Sequence, residues 1–80
     1  NMPNPWTTST TIPVTVGEDG IVNLEILDNI GRVVYRNNYQ LKAGKNMIGL
    51  SSNNIDAKGN LIYKINYNGV TKYGKMIIIE

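Results

Sequence analysis

IVNLEILDNIGRVVY, residues 21–35, decides the fold. Val22, Leu24 and Ile26 alternate with Asn23 and Glu25, the two-residue period of a strand with one buried face. Asp28, Gly31 and Arg32 then break the apolar pattern, and Val33–Val34 resume it. An Asp side chain can bond backbone amides within a turn, and Gly takes conformations that other residues resist. The stretch reads as strand, turn, strand. The acid, glycine and arginine that suggest a small site are accounted for by the turn.

The same period extends in both directions. TTIPVTV (10–16) sets Ile12, Val14 and Val16 against Thr11, Pro13 and Thr15. Pro13 cannot donate to a ladder, so this strand is expected at an edge or interrupted there. RVVYRNNY (32–39) and NMIGL (46–50) supply two further strands. LIYKINY (61–67) places Leu61, Tyr63, Ile65 and Tyr67 on one face and Ile62, Lys64 and Asn66 on the other. VTKYGKMIII (70–79) is apolar enough to suggest a central strand buried on both faces. Exposed, it would be a template for pairing with a partner strand.

The connections agree with this reading. GEDG (17–20) and KAGK (42–45) are short turns, and SSNNIDAKGN (51–60) is the longest loop. Asn68-Gly69, between Tyr67 and Val70, predicts a type I′ hairpin because both residues tolerate positive φ. No segment carries a 3.6-residue period. The chain is therefore read as all-β, an antiparallel sandwich of six or seven short strands. NMPNPWTTSTT (1–11) has the composition of a linker running into the first strand. Residues 1–6 are taken as the end of that linker and 7–80 as a single sandwich domain. The abrupt start at NMPNPW suggests a piece cut from something longer.

Composition removes several classes of function. Eighty residues make one small domain, which buries roughly 60–65% of its unfolded surface. The chain has no Cys and no His. Disulfides, thiolate or imidazole zinc sites, a Cys nucleophile and a Ser-His-Asp triad are all excluded. The net charge is +2 and the basic residues are dispersed, which argues against nucleic acid. No apolar run approaches the roughly 18–20 residues of a membrane helix. The N-terminus lacks the charged and apolar regions of a Sec-type signal peptide.

The remaining polar residues suggest no catalysis. Glu18 and Asp19 lie in a turn, where they are expected to be solvated, and Glu25 is expected on an outward strand face. The Asn-rich loop 51–60 does not follow calcium-loop spacing and contains a single acid, Asp56. Its Asx side chains are expected to bond their own backbone. No cofactor is expected. Trp6 and the tyrosines raise a second possibility, a carbohydrate-binding or adhesive sandwich of a secreted protein. Against it, Tyr63, Tyr67 and Tyr73 stand among apolar neighbours and are expected in the core or half-buried.

One ordered set of residues spans nearly the whole chain. It comprises Pro3-Asn4-Pro5, Ile12, Glu18-Asp19-Gly20, Val22, Leu24, Ile26, Asp28, Gly31-Arg32, Val34, Ala43-Gly44, Gly59, Tyr63 and Lys75-Met76. In this order the set resembles the type A C-terminal sorting domain of type IX secretion (Por secretion) cargo in Bacteroidetes. One departure is the three residues between Gly59 and Tyr63, where the family pattern is shorter.

The resemblance implies a seven-stranded immunoglobulin-like β-sandwich fused to an upstream cargo domain. Its role would be a non-catalytic export address, routed via the periplasm to secretion or the cell surface. Its implied partners are the outer-membrane translocon, shuttle proteins and a sortase, with no nucleic acid and no small-molecule substrate. The sortase would cleave upstream of residue 3 and attach the cargo to anionic lipopolysaccharide. Recognition would rest on Pro3, Asn4, Pro5, Asp28, Gly31, Arg32, Gly44, Gly74, Lys75 and Met76, weighted toward the last strands and the run at 77–79.

Overall fold

The alternation in residues 21–27 becomes a strand with a fully sequestered inner face. In a computed structural model, which describes residues 9–51, 55, 57 and 59–78, the side chains of Val22, Leu24 and Ile26 are completely buried. Six antiparallel strands are present among the described residues: β1 (Ser9–Val16), β2 (Gly20–Leu27), β3 (Val33–Leu41), β4 (Gly44–Ser51), β5 (Gly59–Tyr67) and β6 (Val70–Ile78). They form a four-stranded sheet in the order β3-β2-β5-β6 and a two-stranded sheet, β1-β4. In immunoglobulin terms, β6-β5-β2-β3 follow G-F-C-C′ and β1-β4 follow B-E.

Both sheets contribute alternate side chains to one core. Ile12, Val14, Val16, Ile48 and Leu50 come from the two-stranded sheet, and Val22, Leu24, Ile26, Leu41, Leu61, Ile65 and Met76 from the other. Ile55, in the connection between β4 and β5, is also buried in this cluster. Sequestering a side chain of the Leu or Ile class stabilises the fold by roughly 1.5–3 kcal/mol each. This aliphatic layer does the work that disulfides do in many small secreted domains.

Pro13 sits in a strand whose described pairing is on one side, opposite Met47, and the β1–β4 register runs past it without a break. The β5–β6 hairpin closes between Tyr67 and Val70. Its turn residues Asn68 and Gly69 have φ of 51° and 79°, as a type I′ turn requires. The hydroxyl of Tyr67 donates to the Glu18 carbonyl at 2.7 Å, tying β5 to the β1–β2 turn.

Two expectations are corrected. The apolar strand 70–78 is not central among the described residues: β6 is the outermost described strand of its sheet, with Met76 buried and Lys72, Tyr73, Lys75 and Ile77 exposed. Tyr73 is not core, since 66% of its surface is open, whereas Tyr63 and Tyr67 pack partly against the core as expected. Pro3, Asn4, Pro5 and Trp6 lie outside the described residues.

Candidate recognition surface

Asp28 organises the turn between β2 and β3. The amide of Gly31 donates to the Asp28 carbonyl at 3.1 Å, and the amide of Asp28 donates to the Arg32 carbonyl at 2.9 Å. Three residues, Asn29, Ile30 and Gly31, are thereby looped out. Gly31, at φ +86°, takes the left-handed position that this loop class demands. One carboxylate oxygen of Asp28 accepts from the amides of Ile30 (3.1 Å) and Arg32 (2.8 Å), and the other from Arg32 Nε (2.9 Å).

The backbone amide of Arg32 is the main influence holding the Asp28 carboxyl below its ordinary value. Burial opposes it, and the Ile30 amide and the Arg32 guanidinium reinforce it. The Arg32 side chain nevertheless stays 73% exposed. It is anchored at Nε and still presents its positive charge to solvent.

The register then shows what surrounds this turn. On the outer face of the four-stranded sheet, Leu27 stands opposite Ile62, and Ile62 opposite Lys75. Asn60 and Ile77 form the next row. A cleft of about 370 Å³ opens here, lined by Asn29, Asn60, Leu61, Ile62 and Lys75. Further along the face, Glu25 pairs with Arg36 at 2.8 Å and lies 3.8 Å from Lys64. Its side chain is only 15% exposed, outward as expected but covered by its partners.

The remaining candidates divide among different places. Gly74 lies opposite Tyr63 on the inner face, where a Cβ would overlap the Tyr63 ring. Met76, opposite Leu61, is buried in the core. Gly44 opens β4 at the other end of the sandwich, opposite Val16 and with φ +106°. There the Ala43 amide donates to the Asp19 carboxylate at 2.8 Å. The structure thus brings Asp28, Gly31, Arg32 and Lys75 toward one end, and separates Gly44 from them.

Four residues of the cleft were not singled out from the sequence as recognition residues: Asn29, Asn60, Leu61 and Ile62. The signal for Ile62 was present, because it is a lone aliphatic side chain on the face that carries Lys64 and Asn66. Among the described residues no group of three or more acids could hold a metal ion. Of the three tyrosines weighed for a sugar platform, Tyr63 and Tyr67 turn inward and Tyr73 is open, and Trp6 lies outside the described residues.

The chain is a small two-sheet β-sandwich whose candidate residues fall in turns, in the core and on one outer face. A model of the family described as "Secretion system C-terminal sorting domain" matches residues 2–80, and this chain belongs to that family. Its role is sorting, not catalysis, on the type IX route through the periplasm to the cell surface. No curated protein and no solved structure matches the chain.

Proposed function

We propose that this chain is the export address of a larger cargo protein, read in the periplasm by the type IX translocon and its shuttle proteins. A cell-surface sortase then removes it, cutting upstream of residue 3. The observation that carries the reading is the family match across residues 2–80. Residues 1–6 serve as the linker that the sortase reaches, and 7–80 as the folded signal.

Within that signal the candidate residues divide by role. Arg32 and Lys75 are the outward contacts. Asp28 and Gly31 hold Arg32 in place, and Gly44 shapes the far turn. Gly74 and Met76 fix β6 against β5, so that Lys75 faces outward. Pro3, Asn4 and Pro5 set the approach to the cleavage point.

The test is the size of a surface-attached reporter fused ahead of residues 1–80, in host strains with and without the sortase. The expected result is a product lacking residues 3–80 in the first strain and the intact fusion in the second. A fusion that stays intact on the surface of both strains would remove the sortase from the account.

A further inference from the structure

Asn68-Gly69 is the one Asn-Gly pair in the chain, and it forms the turn of the β5–β6 hairpin. The dipeptide carries a chemistry of its own. The backbone nitrogen of Gly69 can attack the side-chain carbonyl carbon of Asn68, and glycine has no side chain to obstruct the approach. Every other asparagine in the chain is followed by a larger residue. Asn68 and Gly69 are both exposed, so water reaches the carboxamide.

The folded turn withholds the alignment this attack needs. Closing a five-membered ring requires the Gly69 nitrogen to lie nearly eclipsed with Asn68 Cβ about the Cα–C bond. Asn68 and Gly69 instead take φ of 51° and 79°, the left-handed pair of a type I′ turn. There ψ is about +47°, and the tetrahedral offset of Cβ adds about 120°, so the nitrogen stands nearly opposite Cβ. The Tyr67 hydroxyl, bonded to the Glu18 carbonyl at 2.7 Å, holds the turn in place from the β5 side. Among the described strands β6 is paired with β5 alone, so parting this one pair releases the turn.

We propose that Asn68 is a modification site, protected while the hairpin is closed and reactive once it opens. When β5 and β6 part, the bond after Asn68 Cα rotates and the Gly69 nitrogen reaches Cγ. That nitrogen gives up its proton, the bond from Cγ to the side-chain nitrogen breaks, and ammonia leaves. Water then opens the cyclic imide. Addition at Cγ leaves an aspartate. Addition at the main-chain carbonyl leaves an isoaspartate, whose backbone runs through Cβ and Cγ and is one carbon longer.

The two products differ in consequence. Asp-Gly also closes a type I′ turn. Isoaspartate lengthens a loop with no slack, because Tyr67 pairs directly with Val70. The whole register follows from that closure, including Tyr63 opposite Gly74 and Leu61 opposite Met76. An isoaspartate chain therefore does not regain this hairpin, and the opening is recorded irreversibly.

The test is the rate of isoaspartate formation in the 80-residue chain at mildly alkaline pH, in buffer and in urea above the unfolding midpoint. Circular dichroism confirms the folded and unfolded states, and peptide mapping with isoaspartyl methyltransferase labelling locates and counts the product. In urea, Asn68 is expected to convert before any other asparagine. In buffer, conversion should be about tenfold slower or more, because only the open fraction reacts. Tyr67→Phe loses the bond to Glu18 and keeps both turn residues. It should convert several-fold faster than wild type in buffer and at the same rate in urea.

After ageing in urea and dilution, the fraction of wild type that refolds should fall in step with isoaspartate at position 68. Asn68→Gly, which suits the same turn and has no carboxamide, should refold fully, and fresh Asn68→Asp should match fresh wild type. Absence of isoaspartate at position 68 in urea would overturn the site. Equal rates in buffer and urea would overturn the protection. Tyr67→Phe that is less stable than wild type yet converts no faster in buffer would overturn hairpin opening as the gate. Full refolding of aged wild type that carries isoaspartate would overturn its irreversible consequence.

Discussion

The ring of Tyr63 lies across Gly74, its partner on the neighbouring strand, and occupies the space where a Cβ would stand. A glycine in a strand interior normally weakens it, because there is no side chain to pack. Here the missing side chain is the condition for the aromatic one. Gly74→Ala forces either the ring or β6 to move, at an expected loss of about 1–3 kcal/mol. Urea denaturation checks the value. The double variant Gly74→Ala/Tyr63→Leu should lose less than the two single changes together, and strict additivity would deny the contact.

Leu24 is completely buried at the centre of the four-stranded sheet. Leu24→Ala should cost about 2–5 kcal/mol, a large part of what a domain of this size has available. Ile21→Ala, next to the same strand interior but 61% exposed, should cost far less. Similar losses at the two sites would contradict the assignment of inner and outer faces.

The Asp28 carboxyl gives the β2–β3 turn a pH dependence. Its folded pKa lies below the ordinary 3.8, so as pH falls the unfolded chain takes up the proton first. Its contribution is therefore complete above the unfolded value and is lost as pH falls through the folded one. The difference in urea midpoint between wild type and Asp28→Asn should hold steady from about pH 7 to pH 5 and shrink below about pH 4. A difference that stays constant down to pH 2 (roughly, the end of the window) would deny the carboxylate this role.

Tyr39 responds at the opposite end of the scale. Its hydroxyl lies 2.7 Å from that of Tyr35, and burial, followed by this contact, raises its pKa to about 12. The neutral form is the one the fold favours. Its stabilisation is complete below the free-tyrosine value of 10.0 and is lost as pH rises from there through about 12. Ultraviolet titration should show a tyrosine ionisation step near pH 12, and Tyr39→Phe should remove it. An unchanged titration in Tyr39→Phe would contradict the pairing.

Much of this architecture was legible because strand alternation is a local property. Val22, Leu24 and Ile26 declared their face, and Asn68-Gly69 declared the hairpin. The place of β6 in its sheet was not legible. The apolar run at its end suggested burial on both sides, but strand order depends on pairings between residues far apart in the chain.

Tyr73 is different, since its exposure follows from the turn already recognised. Once Tyr67 pairs with Val70, Tyr73 must stand opposite Lys64, on the outer face. The turn at Asp28 was read correctly, and Arg32 both pairs with Asp28 and faces solvent. What the sequence hid was its neighbourhood. The cleft joins Asn29 to residues 60–62 and Lys75, which only the folded sheet brings together.

The most direct test of the account is where a periplasmic reporter goes when fused to residues 1–80 in a type IX-competent host. The fraction digested by protease added to intact cells measures surface arrival. The account predicts that most of the fused reporter becomes accessible, while the unfused reporter remains protected inside. A fused reporter that stays in the periplasm of cells exporting their own type IX cargo would contradict it.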